Sequence, residues 1–184
     1  MTLAKRFITA DGLLADSFRL ARAIADSGFA PTHIVGVWRG GAPVGIAVQE
    51  YLEYRGMQTD HIAIRTASYT GIARQAREVK VFGESYLVDT LEAEHRLLIV
   101  DDVFDSGRSV EAILRVLKAK CRRNFPGDAR IATVYYKPLR NRTALTPDYF
   151  VEETDDWLVF PHELCGLTPD EIAAKGDTGR LVLE

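Results

Sequence analysis

Hydrophobic positions along this chain change period in a regular alternation. From residue 13 to 27, Leu13, Leu14, Phe18, Leu20, Ala21 and Ile24 fall on one broad face at helical spacing, and Gly28 suits the stop. His33–Trp38 is a short β-branched run that reads as a strand, and Val44–Tyr54 returns to helix before Gly56. Residues 59–65 alternate through Ile62 and Ile64 as a further strand. From 66 to about 84 the pattern fades between Gly71 and Gly83, which predicts a solvated excursion with a hairpin at most at its base. Leu97, Leu98, Ile99 and Val100 are then consecutive aliphatics, the mark of a parallel strand buried on both faces. Val110, Ile113, Leu114 and Leu117 restore the i, i+3, i+4, i+7 spacing of a helix.

After a turn at Phe125–Asp128, Ile131–Tyr136 is another buried-type strand, and 140–146 is loop. Strand-like pieces at 149–151 and 157–160, with a helix over 168–175 capped by Thr168 and opened by Pro169, predict a small C-terminal hood. Strands alternating with helices through residue 136 predict an α/β fold with a doubly wound, mostly parallel sheet. Its site belongs at the carboxyl ends of the strands.

Composition narrows the picture without changing it. A chain of 184 residues suits one domain, and 47% hydrophobic with 27% charged residues is ordinary for a soluble protein. The longest apolar run is far short of a membrane span, and the first residues lack a secretory core, so a cytoplasmic protein with no membrane partner is expected. A net charge of -3 argues against a nucleic-acid partner. Cys121 and Cys165 suit reduced thiols, and the four histidines show no metal-ligand spacing.

The chemistry concentrates after Val100. Asp101 and Asp102 follow the aliphatic run, and Asp105, Ser106, Gly107, Arg108 and Ser109 lead into the helix. Loop amides and the positive end of a helix dipole make an anion cradle of phosphate size, with serine hydroxyls as added donors. The aspartates suit a diol or a hydrated divalent cation. Phosphate on one side and hydroxyls on the other describe a sugar phosphate. A second turn of the same design, Arg39-Gly40-Gly41-Ala42-Pro43, joins the strand 33–38 to its helix and predicts a second anion site.

The string LLIVDDVFDSG resembles the phosphoribosyl-pyrophosphate signature of the type I phosphoribosyltransferases, with Arg108 as a mild departure in a variable part of the loop. That resemblance implies Asp101 and Asp102 on the ribose hydroxyls and Mg2+, Asp105 through Ser109 on the 5′-phosphate, and Arg39 with Gly40 on pyrophosphate. It also implies a non-proline cis peptide at Trp38–Arg39 and a lid over about 66–84 carrying Ser68 and Tyr69. Asp105 is implied as the general acid or base beside purine N7, and Glu163 as a further metal or water contact.

Lys137, followed downstream by Trp157, is what a flat heterocycle with a carbonyl needs: a donor to oxygen and a stacking surface. In position and order these residues, with Leu158, are similar to the purine-binding part of the 6-oxopurine branch, whose substrates are hypoxanthine, guanine and xanthine. The implied reaction is Mg2+-dependent transfer of a 5-phosphoribosyl group to N9 of such a base, by a homodimer or homotetramer. Three other readings share parts of this pattern. A transferase for another base such as orotate has the same sugar-phosphate parts. A non-enzymatic regulator that senses the same ligand needs a basic face that the charge does not favour. A phosphoacceptor receiver needs a strand between its acidic pair and its lysine, and the interval from 102 to 137 has no room for one.

Overall fold

The computed structural model describes residues 5–70 and 77–184. In chain order the elements are β1 (Lys5–Phe7), α1 (Ala10–Asp26), β2 (His33–Trp38), α2 (Gly41–Tyr54), β3 (Asp60–Thr70), β4 (Arg77–Phe82), α3 (Ser85–Thr90), β5 (Arg96–Phe104), α4 (Arg108–Cys121), β6 (Asp128–Tyr136), β7 (Tyr149–Glu153), β8 (Trp157–Val159), α5 (Pro169–Ala173) and α6 (Asp177–Leu183). Strands β4-β3-β2-β5-β6-β7 form one sheet, parallel throughout except for the β3–β4 pair. β1 and β8 form a separate parallel pair.

The run Leu97–Val100 is the centre of the molecule. All four residues are fully buried, Leu98 and Val100 in the core beneath α1 and α2, Leu97 and Ile99 in the opposite core with Ile113 and Leu117 of α4. Period-2 alternation sends neighbours to opposite faces, and helices cover both. Burying such side chains contributes about 1.5–3 kcal/mol each.

Several elements depart from their predicted limits for local reasons. Thr9 accepts a hydrogen bond from the Gly12 amide at 3.0 Å, so α1 starts at Ala10, before its apolar stripe. α2 starts at Gly41, inside the Gly-rich turn. β5 does not end at Val100 but carries both aspartates and runs to Phe104, paired with Tyr136. The excursion after residue 65 begins as a hairpin, Thr66–Thr70 against Arg77–Phe82, and its tip at 71–76, which includes Gly71, lies outside the described residues.

The piece at 149–151 is not part of a hood. It is β7, the edge of the main sheet beside β6. β8 instead seats on the N-terminal strand, with Leu158 opposite Arg6. α3 and α6 are short helices that carry little periodicity and were not predicted. α5 has the expected cap, a box in which Thr168 and Glu171 satisfy each other's amides. No described helix is long and apolar enough to cross a membrane.

Candidate active site at the β2–β5 crevice

The chain winds outward from β2 to β3 and β4, then returns to β5 on β2's other side. That reversal opens a crevice at the carboxyl ends of β2 and β5. The two strands stay paired only from His33–Leu97 to Gly36–Val100, and the turn 39–41 drops into the gap beyond. A Cβ on Gly41 would stand 2.4 Å from the Val100 carbonyl oxygen, and one on Gly40 would stand 1.9 Å from Asp102 Oδ2. Glycine at both positions is what brings this turn against the acidic pair. The Trp38–Arg39 peptide bond is cis.

Asp101 Oδ1 accepts from the Asp102 amide at 3.0 Å, and Asp102 Oδ1 from the Val103 amide at 2.7 Å. Burial pushes the Asp102 carboxyl up to about 6. Burial, reinforced by the charge on Asp102, raises the Asp101 carboxyl well above the usual range. His162 Nε2 lies 3.8 Å from Asp102 Oδ2. Burial holds His162 below the ordinary imidazole value, opposed by Glu163 and reinforced by Arg39 and Lys175. Glu163 thus belongs to this cluster, with Oε2 accepting from the Phe160 amide at 3.0 Å.

Among the described residues, no three His, Cys, Asp or Glu side chains gather into a metal cage. The fit of Asp101 and Asp102 to a divalent cation rests on two adjacent hard-oxygen donors whose ionisation burial opposes. A cation would relieve that unfavourable charge, and Mg2+ is commonly held by one or two carboxylates together with substrate phosphates.

The second part of the site is a polar cavity of about 320 Å³ at the start of α4, bounded by Ser68, Val79, Asp105, Ser106, Arg108, Ser109, Arg140 and Arg142. Gly107 has φ 75° and caps the helix; a Cβ there would stand 2.5 Å from Thr143 Oγ1 and 2.7 Å from the Phe104 ring. The tight turn leaves the first helical amides and the serine hydroxyls at the cavity. Ser109 Oγ also accepts from Thr66 Oγ1 at 3.2 Å, which ties the hairpin base to the loop. The structure therefore brings Ser68 to residues 105–109; Tyr69 lies on β3, with its side chain outside the described residues.

The third part lies at the end of β6. Lys137 is buried, donates from Nζ to the Asp156 carbonyl at 2.6 Å, and stands 3.7 Å from Asp105 Oδ2. Trp157, next to Asp156, keeps 49% of its surface exposed. The Leu158 side chain is in the core, which leaves its backbone for any ligand contact. Arg6 of β1, opposite Leu158 in the β1–β8 pair, places both terminal nitrogens on Glu152 of β7.

Sequence reasoning missed Gly41 as a contact residue, His162, Lys175, and the arginines at 140 and 142. The first is visible only when β2 and β5 are side by side. The arginines lie in a loop without periodicity, and their proximity to residues 105–109 is a long-range contact.

Comparison with known proteins agrees with this geometry. The Phosphoribosyl transferase domain family matches residues 9–166. The chain is 30% identical over 132 residues to a xanthine-guanine phosphoribosyltransferase of Cereibacter sphaeroides, covering 71% of this chain and 68% of the relative. Among solved structures, a purine phosphoribosyltransferase from Pyrococcus horikoshii superposes with a TM-score of 0.67 at 25% identity, covering 89% of this chain and 97% of the other. A hypothetical protein from Neisseria gonorrhoeae with bound ppGpp superposes with a TM-score of 0.77 over 99% of both chains at 19% identity, a likeness of fold. With two glycine-containing strand-to-helix turns and an acidic pair at the switch point of the sheet, and with that match across most of its length, this chain belongs to the type I phosphoribosyltransferase family.

Proposed function

We propose that this protein transfers the 5-phosphoribosyl group of phosphoribosyl pyrophosphate to N9 of a 6-oxopurine, releasing pyrophosphate and a purine nucleoside 5′-monophosphate. The observation that carries the reading is the crevice itself: the 39–41 turn meets Asp101–Asp102, and the 105–109 cavity and Lys137 lie on the same strand ends. The xanthine-guanine relative and the purine enzyme of Pyrococcus support the choice of base.

Each residue then has a task. The amides and hydroxyls of 106–109, with Arg108, hold the 5′-phosphate. Asp101 and Asp102 accept hydrogen bonds from the ribose hydroxyls and are the donors for Mg2+. When bound, Mg2+ supplies positive charge to the departing pyrophosphate. Arg39 stabilises the same oxygens, the electrostatic contribution that dominates when charge separates at an oxocarbenium-like centre. Lys137 donates to the base carbonyl while the Asp156 carbonyl fixes its position. Trp157 covers the ring. Asp105, beside Lys137, faces purine N7 as general acid or base, a role typically worth about 10²–10⁴-fold. The hairpin with Ser68 and Tyr69 closes over the reacting centre and Glu163 orders water near pyrophosphate. We place the enzyme in the cytoplasm as a homodimer or homotetramer.

The test is a spectrophotometric assay with phosphoribosyl pyrophosphate and Mg2+ against hypoxanthine, guanine, xanthine, adenine, orotate and uracil. Turnover with 6-oxopurines that is lost with EDTA is expected. Turnover with orotate alone overturns the choice of base, and binding of phosphoribosyl pyrophosphate without turnover of any base turns the reading to a sensor.

One observation favours a second use of the same crevice. Three guanidinium side chains and one carboxylate, Asp105, border the 105–109 cavity, a net positive charge that suits a phosphorylated nucleotide as well as a sugar phosphate, and the neisserial protein of the same fold carries ppGpp. A guanosine polyphosphate is then an inhibitor competitive with phosphoribosyl pyrophosphate, and noncompetitive kinetics would remove this reading.

A further inference from the structure

Arg140 has two potential partners. Its Nε stands 3.1 Å from Asp105 Oδ1, and its side chain also borders the cavity with Ser68, Ser106, Arg108 and Ser109. The backbone around it is held in place. The Arg142 amide donates to the Ser106 carbonyl at 3.1 Å, and Asn141 clamps the loop by donating to the Leu145 carbonyl at 2.7 Å and accepting from the Thr143 amide at 2.9 Å. Thr143 in turn sits against Gly107. The side chain of Arg140 can therefore change partner while its Cα stays on the phosphate loop.

The existing pair is suited to exchange. Arg140 and Asp105 side chains are 48% and 36% exposed, and an ion pair so open to water is weak. A phosphate dianion offers a guanidinium two oxygens in fork geometry and is the stronger partner. The other Asp105 oxygen stays near Lys137, at 3.7 Å.

Resting on the assignment of residues 105–109 to the 5′-phosphate, we propose that Arg140 is a positioning residue that exchanges partners. It pairs with Asp105 in the free enzyme and with the 5′-phosphate in the complex. Arrival of the sugar phosphate thereby releases Asp105 toward the base end of the site, where Lys137 holds it.

Calorimetry of ribose 5-phosphate binding to the full chain tests this without turnover. Arg140→Gln weakens binding about tenfold, the loss of one charge-assisted hydrogen bond, and Arg140→Lys recovers part of it. Asp105→Asn, which frees Arg140 from its competing partner, tightens binding by about threefold. In the Arg140→Gln background the same Asp105→Asn change has no effect. Equal tightening in both backgrounds means only that a negative charge was removed near phosphate, and overturns the exchange. So does an Arg140→Gln protein that binds as the wild type does. Failure of the wild type to bind ribose 5-phosphate overturns the assignment of the cavity, and the exchange with it.

Discussion

Gly41→Ala puts a single methyl group where the turn at residues 39–41 meets β5. The new Cβ would lie 2.4 Å from the Val100 carbonyl oxygen and 2.8 Å from Asp101 Cα, where real Cβ atoms stay beyond 3.0 Å. Both neighbours are backbone of the central strand, so the turn has to back away by at least about 0.6 Å, the difference between those distances. Overpacking of this kind costs about 1–3 kcal/mol. For a chain of this size each kcal/mol lowers Tm by about 2–4 °C, so a drop of roughly 2–12 °C is expected. Activity should fall further than stability suggests, because displacing a catalytic loop by about 1 Å can cost about 10² in rate. Gly127→Ala is the control: its Cβ meets no atom within 4 Å, and the substitution should leave both quantities unchanged. Differential scanning fluorimetry and kcat/KM for the purine reaction measure the two effects. A Gly41→Ala protein with the wild-type Tm and turnover would refute the close approach of the turn to the acidic pair.

Three further outcomes follow from the same geometry. Burial raises the folded Asp102 carboxyl above its ordinary range, to about 6, so its ionised form is unfavourable at pH 8 and the penalty is relieved as the folded group takes up its proton on lowering the pH. Asp102→Asn should melt higher than the wild type at pH 8, by a margin that shrinks toward pH 5, while turnover falls at least about a hundredfold; a Tm difference independent of pH would contradict this. Lys137→Ala should raise KM for the base about tenfold or more in steady-state assays, since it removes the donor proposed for the base carbonyl. Arg6→Ala releases Glu152 of β7 and Asp156, the residue before Trp157, so KM for the base should rise several-fold, roughly the effect of losing about 1 kcal/mol, with KM for phosphoribosyl pyrophosphate unchanged in steady-state assays.

The central strand, the order of helices and strands, and the two glycine-containing turns into α2 and α4 were legible in the sequence because each depends on neighbours a few residues apart. Leu97–Val100 had to be buried on both faces whatever packed there. Gly107 and the residues after it could only be a tight turn into a helix. The tertiary structure decided what met what. Asp101 and Asp102 belong to the strand and not to a turn, because β6 continues to pair with β5 as far as Phe104. The segment at 149–153 has no local feature that distinguishes a hood from a sheet edge, and the free edge of β6 made it β7. Gly41 carries its constraint only because Val100 and Asp101 lie across the crevice. Arg140 and Arg142 read as loop residues until the chain brings them onto the 105–109 loop, more than thirty residues earlier. Local chemistry writes turns and periodicities into the sequence, whereas contacts across the switch point exist only once the sheet has assembled.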